Sequence, residues 1–272
     1  MSTLADDLKH RIITLLALCS LILPSCVFRP SIDEQGNITV RSANKLMRSH
    51  GMRQFEKMKR DKIISTDPRY TKPVARVAER LKKVILLPNA KWEFVVFEDP
   101  SPNAFALPGG KVGVNTGIYQ IVGNDHQSDA IMAAVLGHEI SHTAAAHAQQ
   151  RIYHALALAL VGYIAWSAMD ANDVEDPEYA IAGFALSAYM AQALPFSRKQ
   201  EYESDKMGAV YMAKAGYDPR ASIELWKRLR DYHEVNGGQH PEFLRTHPHD
   251  DSRIEALEAF MPVALSFYRT AK

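Results

Sequence analysis

The stretch Ser128–Arg151, SDAIMAAVLGHEISHTAAAHAQQR, constrains this chain more than any other. It reads as one helix. Ser128 stands as a cap, Asp129 suits the positive end of the dipole, and Ile131, Val135 and Leu136 recur at helical spacing. Within it lies His138-Glu139-Ile140-Ser141-His142. Side chains four apart share a helix face, so both imidazoles can reach a single ion. Glu139 is rotated by about a quarter turn, close enough to handle a water on that ion. A polar triplet among Ala and Leu is buried and needs partners. The H-E-x-x-H spacing suits zinc, with two histidine ligands and a glutamate as general base.

A third ligand is expected from Gln200–Asp205, QEYESD, which opens a helix running to about Ala215 before Gly216 stops it. Glu201 and Asp205 lie on one face of that helix. Two imidazoles and one carboxylate leave zinc an open fourth position for water, the arrangement of a catalytic site. Asp205 can accept the second N–H of a ligand histidine and fix its tautomer. His147 is set aside as a ligand. On a continuous helix it falls about 140° round from His142 and about 180° from His138, so it reads as a packing residue or a support behind the ligands.

The chain has 272 residues and 47% hydrophobic composition, enough for one large domain or two small ones. Lys+Arg 32 against Asp+Glu 31 leaves no electrostatic case for nucleic acid. The N-terminus has Lys9, His10 and Arg11, then the apolar run Ile12–Leu23, then Leu23-Pro24-Ser25-Cys26. That outline is a secretory signal, and its ending resembles a bacterial lipobox with Cys26 as the lipidated residue. The expected division is 1–25 signal peptide, 26–65 tether and helix, and 66–272 catalytic domain. Only Cys19 and Cys26 are present, so no disulfide framework is expected in the mature chain.

Along the chain, Ser42–Lys62 reads as a helix with Leu46, Met52, Phe55 and Met58 inward, and Thr71–Leu86 as a second helix with Val74, Val77, Leu81 and Val84 inward. Trp92–Phe97 is a strand, and Asn103–Val114 a hairpin turning at Pro108-Gly109-Gly110. Asn103, Ala104, Phe105 and Ala106 then offer either a free sheet edge for a substrate strand or an ordinary core hairpin. Ile152–Met169 and Tyr179–Phe196 are two charge-free apolar stretches flanking the acidic loop Asp170–Glu178. They are long enough for a membrane hairpin, but charge placement and alanine content favour two helices packed within the domain or over the cleft. The fold class is α+β and mainly helical, with a small sheet beside the metal helix.

Taken together, H-E-x-x-H, a long helical insert and E-x-x-x-D resemble the glutamate-zincin peptidases. That group includes the CAAX prenyl protease, HtpX, the Oma protease and bacterial envelope members of the BepA and LoiP kind, here without a tetratricopeptide extension. The resemblance covers about Thr66–Arg253 and implies a zincin-like metalloendopeptidase with one Zn2+ per chain. His247-Pro248 and Arg253 resemble the family's H-P-x-x-x-x-R element. Its histidine and arginine would face the oxyanion, or His247 would close the zinc as a resting-state ligand; a loop leading into a helix is the plain alternative. The resemblance also implies extended or misfolded envelope proteins as substrates. Separately, Val27 after Cys26, by resemblance to Gram-negative lipoproteins, points to a lipoprotein on the periplasmic face of the outer membrane. Two other readings stay open: a chaperone-like binder with a closed zinc site, and an integral-membrane metalloprotease with 152–196 embedded.

Overall fold

The computed structural model describes residues 30–170, 177–188, 194–236, 243, 245, 247 and 251–270. Two compact units divide the chain. One comprises Pro30–Ala148 with Glu201–Lys272, and the other contains Gln149–Gln200.

In the first unit, helix α1 spans Lys45–Asp61 and helix α2 spans Pro68–Val84. Asn44 caps α1 by accepting the Met47 N–H at 2.9 Å, and Asp67 caps α2 through the Arg69 N–H at 2.8 Å. Val74, Val77 and Leu81 are buried along α2, as their spacing predicts. On α1 the expected inward stripe is narrower: Phe55 is buried, but Leu46 is 66% exposed. It sits in the first turn, before the helix meets the sheet.

The sheet has three strands in the order β1-β3-β2, with β1 Glu93–Phe97, β2 Ala104–Leu107 and β3 Lys111–Asn115. The central strand β3 is buried throughout. It runs parallel to β1, with Phe94 opposite Val112, and antiparallel to β2, with Phe105 opposite Gly113. The expected hairpin is therefore present, and β2 is an edge strand. After a 3-10 turn at Thr116–Ile118 and a short helix α3, Tyr119–Val122, comes the metal helix α4, Ser128–Ala144.

The structure corrects the expectation of one helix from Ser128 to Arg151. Helix α4 ends at Ala144, and helix α5 begins at His147 and runs to Asp170. Between them Ala146 takes a left-handed backbone with φ 55°. The alanines cannot report such a break, because alanine is a strong helix former and is disfavoured in the left-handed conformation Ala146 adopts. The break redirects His147, with consequences for the site.

Residues Ile131–Ala144 of α4 are buried on every side, by α2, by β2, and by the two helices that follow the insert. Helix α7 spans Leu194–Lys214, α8 Ala221–Val235 and α9 Asp251–Thr270. Gly216, with φ 77°, closes α7 as expected. Helices α4 and α7 touch backbone to backbone. A Cβ on Gly208 would lie 3.0 Å from the His138 nitrogen and 3.1 Å from the Gly137 carbonyl carbon. Only a pair of glycines permits that approach, and it carries Glu201 to the level of His138.

In the second unit, α5 continues to Asp170 and α6 spans Pro177–Ala188. Among the described residues α5 is the one helix long and apolar enough to cross a membrane. His154, Gly162, Ala165 and Met169 form its buried stripe, whereas Leu156 is 61%, Leu160 59% and Tyr163 65% exposed. The buried stripe mixes small and large residues, Gly162 and Ala165 beside His154 and Met169, while the opposite side leaves large apolar side chains exposed.

We expect Gly208→Val to destabilise the protein by about 1–3 kcal/mol, through overpacking at the α4–α7 contact. Gly183→Ala, where an added Cβ meets nothing within 4 Å, should instead gain about 0.5–1 kcal/mol of helix propensity. Thermal unfolding of the two variants checks both signs.

Candidate metal centre

The three expected ligands converge, and a fourth donor joins them. His138 and His142 project from α4 with their Nε2 atoms 3.1 Å apart. From α7, Glu201 places Oε2 3.3 Å from His138 Nε2 and Oε1 3.4 Å from His142 Nε2. His247 places Nδ1 3.2 Å from His138 Nε2 and 2.9 Å from Glu201 Oε2. The four donors lie within 4.8 Å of one another, and all four residues are buried.

Zinc fits this donor set. Bonds of about 2.0–2.1 Å in a tetrahedron give edges of about 3.3–3.4 Å between donor atoms. The His138–His142 separation of 3.1 Å, and those of 3.3 Å from His138 to Glu201 Oε2 and 3.4 Å from His142 to Glu201 Oε1, are of that size, with one carboxylate oxygen turned to each imidazole. Nitrogen and carboxylate oxygen are also the donors zinc takes.

The electrostatics call for a cation. Burial works against a charged His138, yet Asp205 and Glu201 override it and push the imidazole up to about 9. Burial would raise Glu201, but His247, His142 and His138 hold it well below the usual carboxylate range. Burial keeps His142 neutral, far below its ordinary value, with a lone pair free for a metal. Carboxylates that attract a proton this strongly attract a divalent ion by the same field.

Asp205 and Arg253 stand behind His138. Asp205 Oδ1 lies 2.9 Å from His138 Nδ1. Arg253 grips Asp205 with Nε on Oδ2 and Nη2 on Oδ1, both at 2.8 Å, and its Nη1 lies 3.3 Å from Glu201 Oε2. The guanidinium also stacks 3.7 Å above the Trp226 ring. The structure thus places Arg253 against the carboxylates, its guanidinium held by Asp205, Glu201 and Trp226. Held by arginine, the Asp205 carboxylate accepts the Nδ1 hydrogen of His138, which leaves Nε2 with its lone pair turned to the centre.

Glu139 is buried beside this cluster. Its Oε1 lies 3.2 Å from His247 Nε2, and its carboxylate accepts the backbone N–H of Ala106. Burial pushes Glu139 up from the ordinary carboxylate value; His247 and His138 oppose that, and Glu201 adds to it. A raised carboxylate is a better base near neutral pH. The Ala106 bond ties edge strand β2 to the catalytic face of α4. Asn103, just before β2, is buried, and its carbonyl accepts the Asn115 N–H. Phe243 donates its N–H to the Pro102 carbonyl and accepts that of His247, so the same edge anchors the fourth donor. Cys26 lies outside the described residues.

Sequence reasoning missed Glu203 and the position of His147. His147 Nδ1 lies 2.9 Å from His142 Nδ1, and its Nε2 2.8 Å from Glu203 Oε2. The one available signal was a third histidine close behind a metal motif, which a continuous helix would have turned away.

A sequence model of peptidase family M48 matches residues 68–261. The chain belongs to peptidase family M48. Among similar M48 relatives, the mitochondrial metalloendopeptidase OMA1 of Schizosaccharomyces pombe is 36% identical over 191 residues, 70% of this chain and 53% of its own length. The human mitochondrial metalloendopeptidase OMA1 is 32% identical over 218 residues, 78% and 41% of the two chains. The beta-barrel assembly-enhancing protease of Yersinia pestis is 26% identical over 190 residues, 69% and 38%. This M48 chain spans about half or less of the length of these relatives. The expected site on the bacterial outer membrane is corrected by these matches: the more similar relatives are named mitochondrial, and the bacterial protease is more distant.

We expect Asp205→Asn and Arg253→Leu each to weaken zinc binding by about 10–100-fold, since each removes support behind a ligand. Competition with a zinc chelator of known affinity measures the change. Unchanged affinity in both would detach the Asp205–Arg253 pair from the metal.

Proposed function

We propose that this chain is a zinc-dependent endopeptidase that hydrolyses peptide bonds of extended or misfolded proteins, in a quality-control role. The observation that carries this reading is the convergence of donor atoms from His138, His142, Glu201 and His247 within 4.8 Å, with buried Glu139 beside them. Membership of family M48 supports it.

When bound, zinc supplies Lewis acidity that brings the pKa of a water towards ~7. Glu139 takes a proton from the attacking water and returns it to the leaving amine. The raised Glu139 carboxyl suits both steps. The free edge of β2 holds the substrate as an added strand through backbone hydrogen bonds, which do not depend on sequence. Ala106, bonded to Glu139, fixes the distance from that edge to the base. His247 sits between Glu201 and Glu139, at the corner a water needs. There it would hold zinc as a fourth donor in a resting state, or else face the oxyanion formed at the scissile carbonyl.

For Glu139→Gln we expect retained zinc and a fall of about 10²–10⁴-fold in casein cleavage. Metal analysis and a cleavage assay with and without chelator test the pair. Cleavage that survives chelation, or a fully active Glu139→Gln, would remove the zinc hydrolase and leave the chaperone-like binder.

A second reading concerns where the chain acts. The outward face of α5 carries Leu156, Leu160 and Ile164 in one row, all well exposed. An uncovered apolar row of this length supports a protease held to a lipid bilayer by Gln149–Gln200. The protein should float with phosphatidylcholine vesicles in a density gradient, and a Leu156→Glu, Leu160→Glu, Ile164→Glu variant should remain at the bottom. Equal flotation of the two would discard this reading.

A further inference from the structure

The histidine beyond the motif has a job of its own. His147 is wholly buried, and so is Glu203. Glu203 follows Glu201 by two residues on α7, about 200° round the helix, so it points away from the metal donors. It meets the segment before α1 instead: the Ser31 N–H donates to Glu203 Oε1. Its other oxygen, Oε2, faces His147 Nε2 at 2.8 Å. His147 Nδ1 faces His142 Nδ1 at 2.9 Å, with Ser204 Oγ also 3.3 Å from His147 Nδ1.

The donor and acceptor roles follow in order from the carboxylate. An ionised Glu203 only accepts, so His147 Nε2 carries a hydrogen and donates it. The neutral ring then has its lone pair on Nδ1. Facing that lone pair, His142 Nδ1 carries a hydrogen and donates it. His142 Nε2 is left with a lone pair, and this is the atom 3.1 Å from His138 Nε2 and 3.4 Å from Glu201. The chain of bonds therefore presents the correct nitrogen to the metal.

We propose that Glu203 and His147 are positioning residues that lock the tautomer and angle of the ligand His142, as Asp205 and Arg253 do for His138. This rests on the zinc reading of the site. The left-handed turn at Ala146 makes the lock possible, since it brings His147 back against His142. Each histidine ligand thus has its own support, drawn from a different carboxylate on the same helix. The segment beginning at Ser31 holds the outer end of the second support.

The test uses the full chain loaded with zinc. In the unaltered protein, nitrogen-15 imidazole spectra should show His142 with a slowly exchanging hydrogen on Nδ1. His147→Phe keeps a planar aromatic ring, somewhat larger than imidazole, and removes both nitrogens. We expect it to lose that protected hydrogen and to weaken zinc binding about 10–100-fold by chelator competition. Glu203→Gln keeps an acceptor and removes the charge, so its loss should be smaller and the Nδ1 hydrogen should shift. Should His147→Phe fail to fold, Glu203→Gln decides alone: an unmoved Nδ1 signal with unchanged affinity overturns the lock. If the unaltered protein takes up no zinc, the zinc reading itself fails, and the two failures are told apart.

Discussion

The contact between Gly137 and Gly208 governs the rest of the molecule. Two helices far apart in sequence meet there with no side chain between them. Helices packed through ordinary residues have axes about 8–10 Å apart. At that spacing short side chains such as those of aspartate and glutamate reach poorly across to a shared point. The glycine pair draws α7 in, so that Glu201 and Asp205 engage His138 directly. Geometry at the site is thus set by a place with no chemistry.

The second constraint is charge. Glu139, Glu201, Asp205, Arg253 and three histidines are buried within one small volume. A buried charge lacking compensation is expensive, and a cluster of this kind persists only when each member has a partner. Arg253 answers Asp205, and Asp205 answers His138. Glu203 answers His147. Glu201 retains demand for positive charge, shown by how far its histidine neighbours depress it. The arrangement is a set of filled pairs around two unfilled requirements, the Glu201 carboxylate and the buried Glu139 Oε1, and a divalent ion with its water suits both.

Much of this was legible in the residues, and the limits have identifiable causes. His138 and His142 follow from helical periodicity, because a ligand pair four apart needs nothing beyond a regular helix, while Glu201 and Asp205 followed from the acidic residues opening a later helix, read together with the H-E-x-x-H motif. The hairpin followed from its Pro-Gly-Gly turn. The break at Ala145–Ala146 did not, since it depends on tertiary packing and not on a glycine or proline signal. His147 and Glu203 were invisible for the same reason: their meeting requires that break. The partners of Arg253 were hidden too, because a motif places a residue near a site without saying which side it faces. For α5, composition could not separate a core helix from an uncovered one, and only the burial of His154, Gly162, Ala165 and Met169 against the exposure of Leu156 and Leu160 did so.

The insert between His142 and Glu201 has one more consequence. An ion gripping both residues ties together two points separated by about sixty residues of chain. It therefore works as a non-covalent cross-link, and the entropy of closing such a loop grows only slowly with its length. An insert may be lengthened, shortened or exchanged over evolution at little thermodynamic penalty while the clasp at its base stays the same. Residues Gln149–Gln200 can then change in sequence without altering which side chains form the donor cluster.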